Sequence, residues 1–165
     1  MKRKGFTLIE LVVVVAIILL LAATLAPKLR KEVAKAKDAK AVAALGSIRT
    51  AVNIFYSDKG AVPSTILGTN SDEAIYSPSA TTSEYLEKDL VTFLNTGQAA
   101  TATIAQAPVG GYRTAKDGGL SYGGYATYTY TSGDDLEVVI GKVNGTAGSS
   151  GSGTHDTKNN AWASY

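Results

Sequence analysis

At 165 residues the chain has room for about one domain plus an appendage. Its 16 basic residues nearly balance 14 acidic ones, which argues against a dedicated nucleic-acid binder. With no cysteine, a disulfide, a zinc-thiolate site and a thiol nucleophile are all excluded, and the lone His155 has no second imidazole with which to share a metal.

The first element is an apolar run from Leu8 to Ala26, preceded by Lys2, Arg3 and Lys4. As a helix it would rise roughly 28 Å, close to the hydrocarbon thickness of a bilayer. A cleaved secretory signal has the same basic start and apolar core. Against that reading, the core is long, Glu10 interrupts it, and Pro27 directly follows the best small-residue cut site at Ala26. A plain transmembrane anchor does not explain the acid, because a carboxylate inside the apolar layer is costly. A place in the first helical turns, where the helix dipole favours negative charge, lowers that cost without giving the charge a purpose.

Lys4-Gly5-Phe6-Thr7-Leu8-Ile9-Glu10 ahead of an apolar helix resembles the class III signal of type IV pilins and type II secretion pseudopilins. The resemblance implies cleavage between Gly5 and Phe6 by a membrane-embedded prepilin peptidase and N-methylation of Phe6. It also implies that the apolar helix stays on the mature chain. Gly5 suits a cleavage site because it lets a protease approach the backbone closely. Glu10 falls where the family has its glutamate. An ammonium made at Phe6 inside an apolar helix needs a partner, and Glu10 of a neighbouring subunit would supply it and set the axial register between stacked helices. Pairing within one chain, across one helical turn, is the simpler alternative.

Beyond Pro27 the helical pattern continues. Leu45, Ile48, Val52 and Phe55 recur at spacings of three and four, with Ala36, Ala39 and Ala43 extending the stripe backwards. Asp58-Lys59-Gly60 and Pro63 are stop signals, so one helix is expected over about residues 6 to 58, near 80 Å if unbroken. Pro27 deprives the Ala23 carbonyl of its helical donor and is expected to kink the rod. Leu45-x-x-Ile48-x-x-Ala51 through Phe55-Tyr56-x-Asp58-x-Gly60 and Pro63 is similar to the pilin junction between stem and head.

The remainder reads as a head. Residues 61 to 80 form a long polar connection. Thr81-x-x-Glu84 is a capping box opening a short helix, with Leu86, Leu90, Phe93 and Leu94 on one side and Asn95-Thr96-Gly97 as its stop. Tyr128 and Tyr130 alternate with Thr127, Thr129 and Thr131. After a Ser-Gly-Asp-Asp turn, Leu136, Val138 and Ile140 alternate again, which predicts an antiparallel hairpin packed on the Leu45 to Phe55 stripe. Ile104 to Val109, or Leu120 to Tyr125, would add a strand. Asn144 to Asn160 is Gly/Ser/Thr-rich and reads as a mobile segment. The aromatic end, Ala161 to Tyr165, is placed to tack the chain back down.

Asp134, Asp135 and Glu137 offer clustered oxygens of the kind calcium takes, but a solvated hairpin turn explains them more simply, and no metal or cofactor is expected. Asn144-Gly145-Thr146 fits a glycosylation sequon and equally a turn. The glycine pairs at 110–111 and 118–119 lack the strand-to-helix context of a phosphate loop. No Ser/His/Asp or paired-carboxylate arrangement appears, so an enzyme is not expected. Lys28, Arg30, Lys31, Lys35, Lys37 and Lys40 face only Glu32 and Asp38 in the stem, whereas the chain from Ala41 onward is net acidic. This stem is more basic than the leader, against the positive-inside preference, although the resemblance implies a C-terminus outside.

The expected fold is therefore α+β and ladle-shaped. Residues 1–5 are a leader, 6–27 a transmembrane and filament-core helix, 28–60 an amphipathic stem and 61–165 a head. The resemblance implies a homopolymeric type IV pilus subunit, held first in the inner membrane, with prepilin peptidase and an assembly platform driven by a separate ATPase as partners. A major pseudopilin of a type II secretion system, working as a periplasmic piston, shares every motif. A monomeric membrane-anchored binding protein is the reading from a different class.

Overall fold

The computed structural model describes residues 6–68, 74–76, 85–94, 104–130, 136–145 and 151–165. Two compact units are distinguished, Met1–Val33 and Ala34–Tyr165. Helix α1, Leu8–Lys59, is helical on both sides of Pro27. It stops where the sequence places its breakers. Gly60 takes the left-handed conformation at φ 67 and its N–H reaches the Tyr56 carbonyl at 2.9 Å, a glycine termination that a side chain would strain. In the first unit every described residue is exposed, Phe6 through Val33.

In the second unit α1 buries Ala34, Asp38, Ala41, Ala44, Leu45, Ile48, Ala51, Val52 and Phe55. Leu45, Ile48, Val52 and Phe55 are almost wholly removed from solvent. The backward extension of this stripe differs from expectation. Ala36, Ala39 and Ala43 are exposed, and the face runs through Ala41, Asp38 and Ala34 instead. These positions step back from Leu45 by four, three and four, a helical spacing with a charged residue in the middle of the face.

The described head strands are short. β1, Thr65–Leu67, pairs in parallel with β2, Ala74–Tyr76, so part of the expected 61–80 connection is structured. Helix α2 spans Lys88–Leu94 and buries Val91 and Leu94. It begins later than the capping box suggested, because residues 85–87 are bent rather than helical; Thr81, Glu84 and the Asn95-Thr96-Gly97 stop lie outside the described residues. Leu86 is buried without being helical, and the Tyr85 ring packs edge-on against Phe55 at 5.2 Å.

The main sheet has the order β3-β6-β7 and is antiparallel, with β3 at Gln106–Pro108, β6 at Tyr125–Tyr130 and β7 at Val138–Asn144. The register places Tyr128 opposite Ile140 and Tyr130 opposite Val138, an antiparallel pairing of the two alternating segments. Both segments proposed as an extra strand contribute. Residues 106–108 join this sheet, while Ser121–Tyr122, strand β5, pairs with β4 at Gly111–Tyr112. The expected Ser-Gly-Asp-Asp turn, with Asp134 and Asp135, lies outside the described residues.

Ala126, Tyr128, Val138, Ile140 and Val143 join Leu45, Ile48, Val52 and Trp162 in one core. Two polar contacts fix the sheet on the helix. The Tyr128 hydroxyl donates to the Ala41 carbonyl at 2.8 Å, and Arg49 Nε donates to the Val138 carbonyl at 3.0 Å. Burial pushes the Tyr128 phenol well above its ordinary value, so it remains a neutral donor at physiological pH.

The C-terminal stretch from 151 is ordered, contrary to the mobile segment expected over 144–160. Gly153 bridges Val143, His155 bridges both Arg113 and Ala161, and Trp162 is buried in the core at the start of a 3-10 turn, Trp162–Ser164. Small residues permit this close strand contact; at Gly151 an added Cβ would run into the Val143 backbone. Asp156 organises the segment by accepting from the backbone N–H of Lys158 and Asn160, both at 2.8 Å, and from the Tyr165 hydroxyl at 2.7 Å.

A buried carboxylate fastens this segment to α1. Asp38 is 3 % exposed. Its Oδ1 accepts from the Gly110 N–H at 2.8 Å, and its Oδ2 accepts from the Thr157 N–H at 3.1 Å and from the Thr157 hydroxyl at 2.6 Å. Gly110 has to be glycine here, because a Cβ would overlap the Ala34 backbone. Gly110→Ala is expected to push the loop from the helix, lengthen the Asp38 bond and cost about 1–3 kcal/mol in a chemical melt of a fragment lacking residues 1–27. An unchanged midpoint would show that the loop absorbs the methyl group freely.

Candidate functional site

The candidate site is the N-terminal end of α1. Thr7 precedes the helix and Glu10 lies in its first turn. Glu10 Oε2 accepts from the Thr7 N–H at 2.9 Å and from the Thr7 hydroxyl at 2.6 Å, while the Glu10 N–H approaches Thr7 Oγ1 at 3.3 Å. This is a reciprocal capping box: a Thr at the cap and a Glu three residues on satisfy helix-end donors that have no intrahelical partner. The sequence reading missed it, although Thr7-x-x-Glu10 has the same spacing it recognised at Thr81-x-x-Glu84. Glu10 therefore has a local partner as well as any intermolecular one. Gly5, on one side of the expected scissile bond, lies outside the described residues; Phe6, on the other, is 76 % exposed.

Behind the cap the helix surface is greasy all round. Leu8, Ile9, Leu11, Val12 and the apolar residues that follow to Leu25 are exposed, and this part of α1 is long and apolar enough to cross a membrane. A helix apolar on every face cannot be at ease in water; its stable environments are lipid or other apolar helices. Glu10 is the one acidic residue of that surface.

Residues 1–26 match the model of a family described as "Prokaryotic N-terminal methylation motif". The chain carries a prokaryotic N-terminal methylation motif. The motif takes in Gly5, Phe6, Glu10 and the whole apolar run. Three relatives extend the likeness past it. The chain is similar to fimbrial protein EcpC of Eikenella corrodens, 37 % identical over 62 % of this chain and 63 % of that one. It is similar to fimbrial protein EcpB of the same organism, 46 % identical over 36 % of this chain and 37 % of the relative. It is also similar to the type IV major pilin protein PilA of Myxococcus xanthus, 45 % identical over 35 % of this chain and 26 % of the relative. The matched region thus spans less than two thirds of each relative's length. No solved structure matches the chain significantly.

The other residues singled out from sequence divide clearly. Leu45, Ile48 and Val52 form the helix side of the head core, and Phe55 is buried against the Tyr85 ring. Glu137 lies near Arg49, with Oε1 and Nη2 4.0 Å apart, and both side chains are substantially exposed. Among the described residues no group of three or more acids and histidines is placed to hold a metal ion. His155 Nδ1 is 2.8 Å from the Thr154 hydroxyl, a local contact. Asp38 is the residue that sequence reasoning passed over, as one acid among many lysines.

Proposed function

We propose that this chain is a structural subunit that polymerises into a type IV pilus or a related extracellular filament. The observation that carries this reading is the methylation motif of residues 1–26 heading an exposed apolar helix with a carboxylate in its first turn. The precursor would sit in the inner membrane as a single span. Prepilin peptidase would cut between Gly5 and Phe6, and the new terminus at Phe6 would be methylated. An ATPase-driven platform would then move the helix from lipid into a filament core built from copies of itself, leaving residues 28–60 as the stem and 61–165 as the head. Apolar contact with other copies replaces apolar contact with lipid, so the transfer needs a directional interaction to set register.

Glu10 is suited to that task. Its Oε2 serves the local cap, while Oε1 accepts no hydrogen bond among the described residues. The Phe6 ammonium of an adjoining subunit would bind there, in surroundings of low dielectric where an ion pair is strong and an unpaired ion costly. Pro27, which leaves the Ala23 carbonyl without its helical donor, is the place where the rod would bend as it leaves the core.

The processing step has a direct measurement. The mature chain is expected to begin at Phe6 and to carry a methyl group on its amine, which intact-mass and N-terminal peptide spectrometry will read. A mature terminus at Pro27, or an intact Met1 in assembled material, would sink the proposal. Electron microscopy of sheared surface material, labelled with an antibody to the head, tests polymerisation itself. Labelled filaments are the expected result; label confined to the membrane fraction would favour a monomeric anchor.

A further inference from the structure

We propose that Lys28, Arg30 and Lys31 form a binding collar for anionic phospholipid headgroups on the membrane face from which α1 emerges. This rests on the reading that the apolar part of α1 crosses a bilayer. The apolar run ends at Ala26, and the three cations follow within five residues. At a rise of 1.5 Å per residue they lie about 3–8 Å beyond the end of the run. That is the depth of the headgroup layer, roughly 5–8 Å on each side of the hydrocarbon.

All three side chains are exposed. Lys28 and Lys31, three apart, share one side of the helix. Leu29 and Val33, four apart, share another and are 58 % and 56 % exposed. This division suits a helix crossing an interface. Leu29 and Val33 can rest against the acyl boundary, while the flexible Lys and Arg stems reach phosphate. Glu32 is the one acid between Pro27 and Val33, so the segment keeps a net charge of +2 from three cations and one anion.

The collar also accounts for a conflict in the sequence. A basic segment beyond the span opposes the positive-inside preference. Anionic headgroups on the far face offset that cost and hold the waiting subunit at a fixed depth. During extraction into a filament these contacts would have to break, so the collar would also set a threshold for leaving the membrane.

Near an anionic surface each cation is worth roughly a fivefold change in partition at low salt. The test uses the full-length chain in nanodiscs of equal parts phosphatidylcholine and phosphatidylglycerol, with native mass spectrometry counting the lipids retained on the released protein. Phosphatidylglycerol is expected to be enriched about tenfold. Enrichment should fall to within about twofold in the K28Q/R30Q/K31Q variant and persist in K116Q/K158Q, which removes the same kind of charge from the head. Equal retention of the two lipids by the unmodified chain, or undiminished enrichment in the triple variant, would overturn the proposal. Filament formation is scored separately. Normal filaments without lipid enrichment would sink the collar and leave the filament reading intact; collar-dependent enrichment without filaments would do the reverse.

Discussion

Glu10→Ala is expected to abolish filament assembly while leaving the chain in the membrane. Removing a carboxylate from an apolar helix makes insertion easier, so the level of membrane-bound precursor should hold or rise. In the filament the Phe6 ammonium of an adjoining copy would then lie unpaired among apolar side chains. An unpaired ion in such a place costs several kcal/mol, roughly a hundredfold or more in the equilibrium for adding a subunit. The capping box supplies a competing explanation, since Glu10 also satisfies Thr7. Glu10→Gln separates the two. The amide keeps an oxygen that can accept from Thr7 and lacks the charge that an ammonium requires. If charge pairing sets the register, both variants lose filaments. If Glu10→Gln assembles normally, the helix cap alone is what assembly needs and the intermolecular role is refuted. Sheared filament yield, normalised to membrane-bound precursor, is the measurement.

The second large effect is expected at Asp38. Asp38→Ala would leave the Gly110 N–H, the Thr157 N–H and the Thr157 hydroxyl facing a void. Buried donors without acceptors cost about 1–3 kcal/mol each, partly offset here because a carboxylate no longer has to be buried. A net loss of about 2–4 kcal/mol is expected in a fragment lacking residues 1–27, with the 151–165 segment the first to lose protection from hydrogen exchange. The pH dependence has a definite sign. Burial raises the Asp38 carboxyl above its ordinary value of 3.8, against the lowering effect of its bonds from Thr157 and Gly110; the nearby Asp156 raises it further. Between the ordinary and the raised value the folded state holds more protons than the unfolded chain. The stabilising contribution from this group is therefore complete below 3.8 and is lost as the pH climbs through the folded value. Asp38→Asn should flatten that part of the profile while remaining less stable than the native fragment, because an amide presents a donor where the site supplies donors. Parallel pH profiles for the two fragments would show that Asp38 does not titrate in this way.

Much of the candidate site was legible in the sequence because its signals are local. An apolar run, a Thr and a Glu three residues apart, and a Gly-Phe junction need no knowledge of what lies elsewhere in the chain. The capping role of Glu10 is equally local, since Thr7 and Glu10 stand three residues apart at the helix start. The β6–β7 hairpin belongs to the same class. Tyr128 and Tyr130, then Val138 and Ile140, alternate on two segments close together in the chain, and the two segments pair antiparallel.

What the sequence determined by itself was thus the apolar rod, its cap, its glycine stop, the stripe from Leu45 to Phe55 and the hairpin laid on it. Tertiary structure alone decided where the stripe runs before Leu45 and how the C-terminal segment is held. Asp38 sits in a lysine-rich stretch that reads as a solvated face. Its donors come from Gly110 and Thr157, 72 and 119 residues away, and only they make burial of that carboxylate tolerable. The Gly/Ser/Thr-rich composition that suggested a mobile tail serves the same contact. Small residues let the backbone at 151–157 lie against β7 and reach the helix, an arrangement that depends on partners rather than on any propensity of the segment.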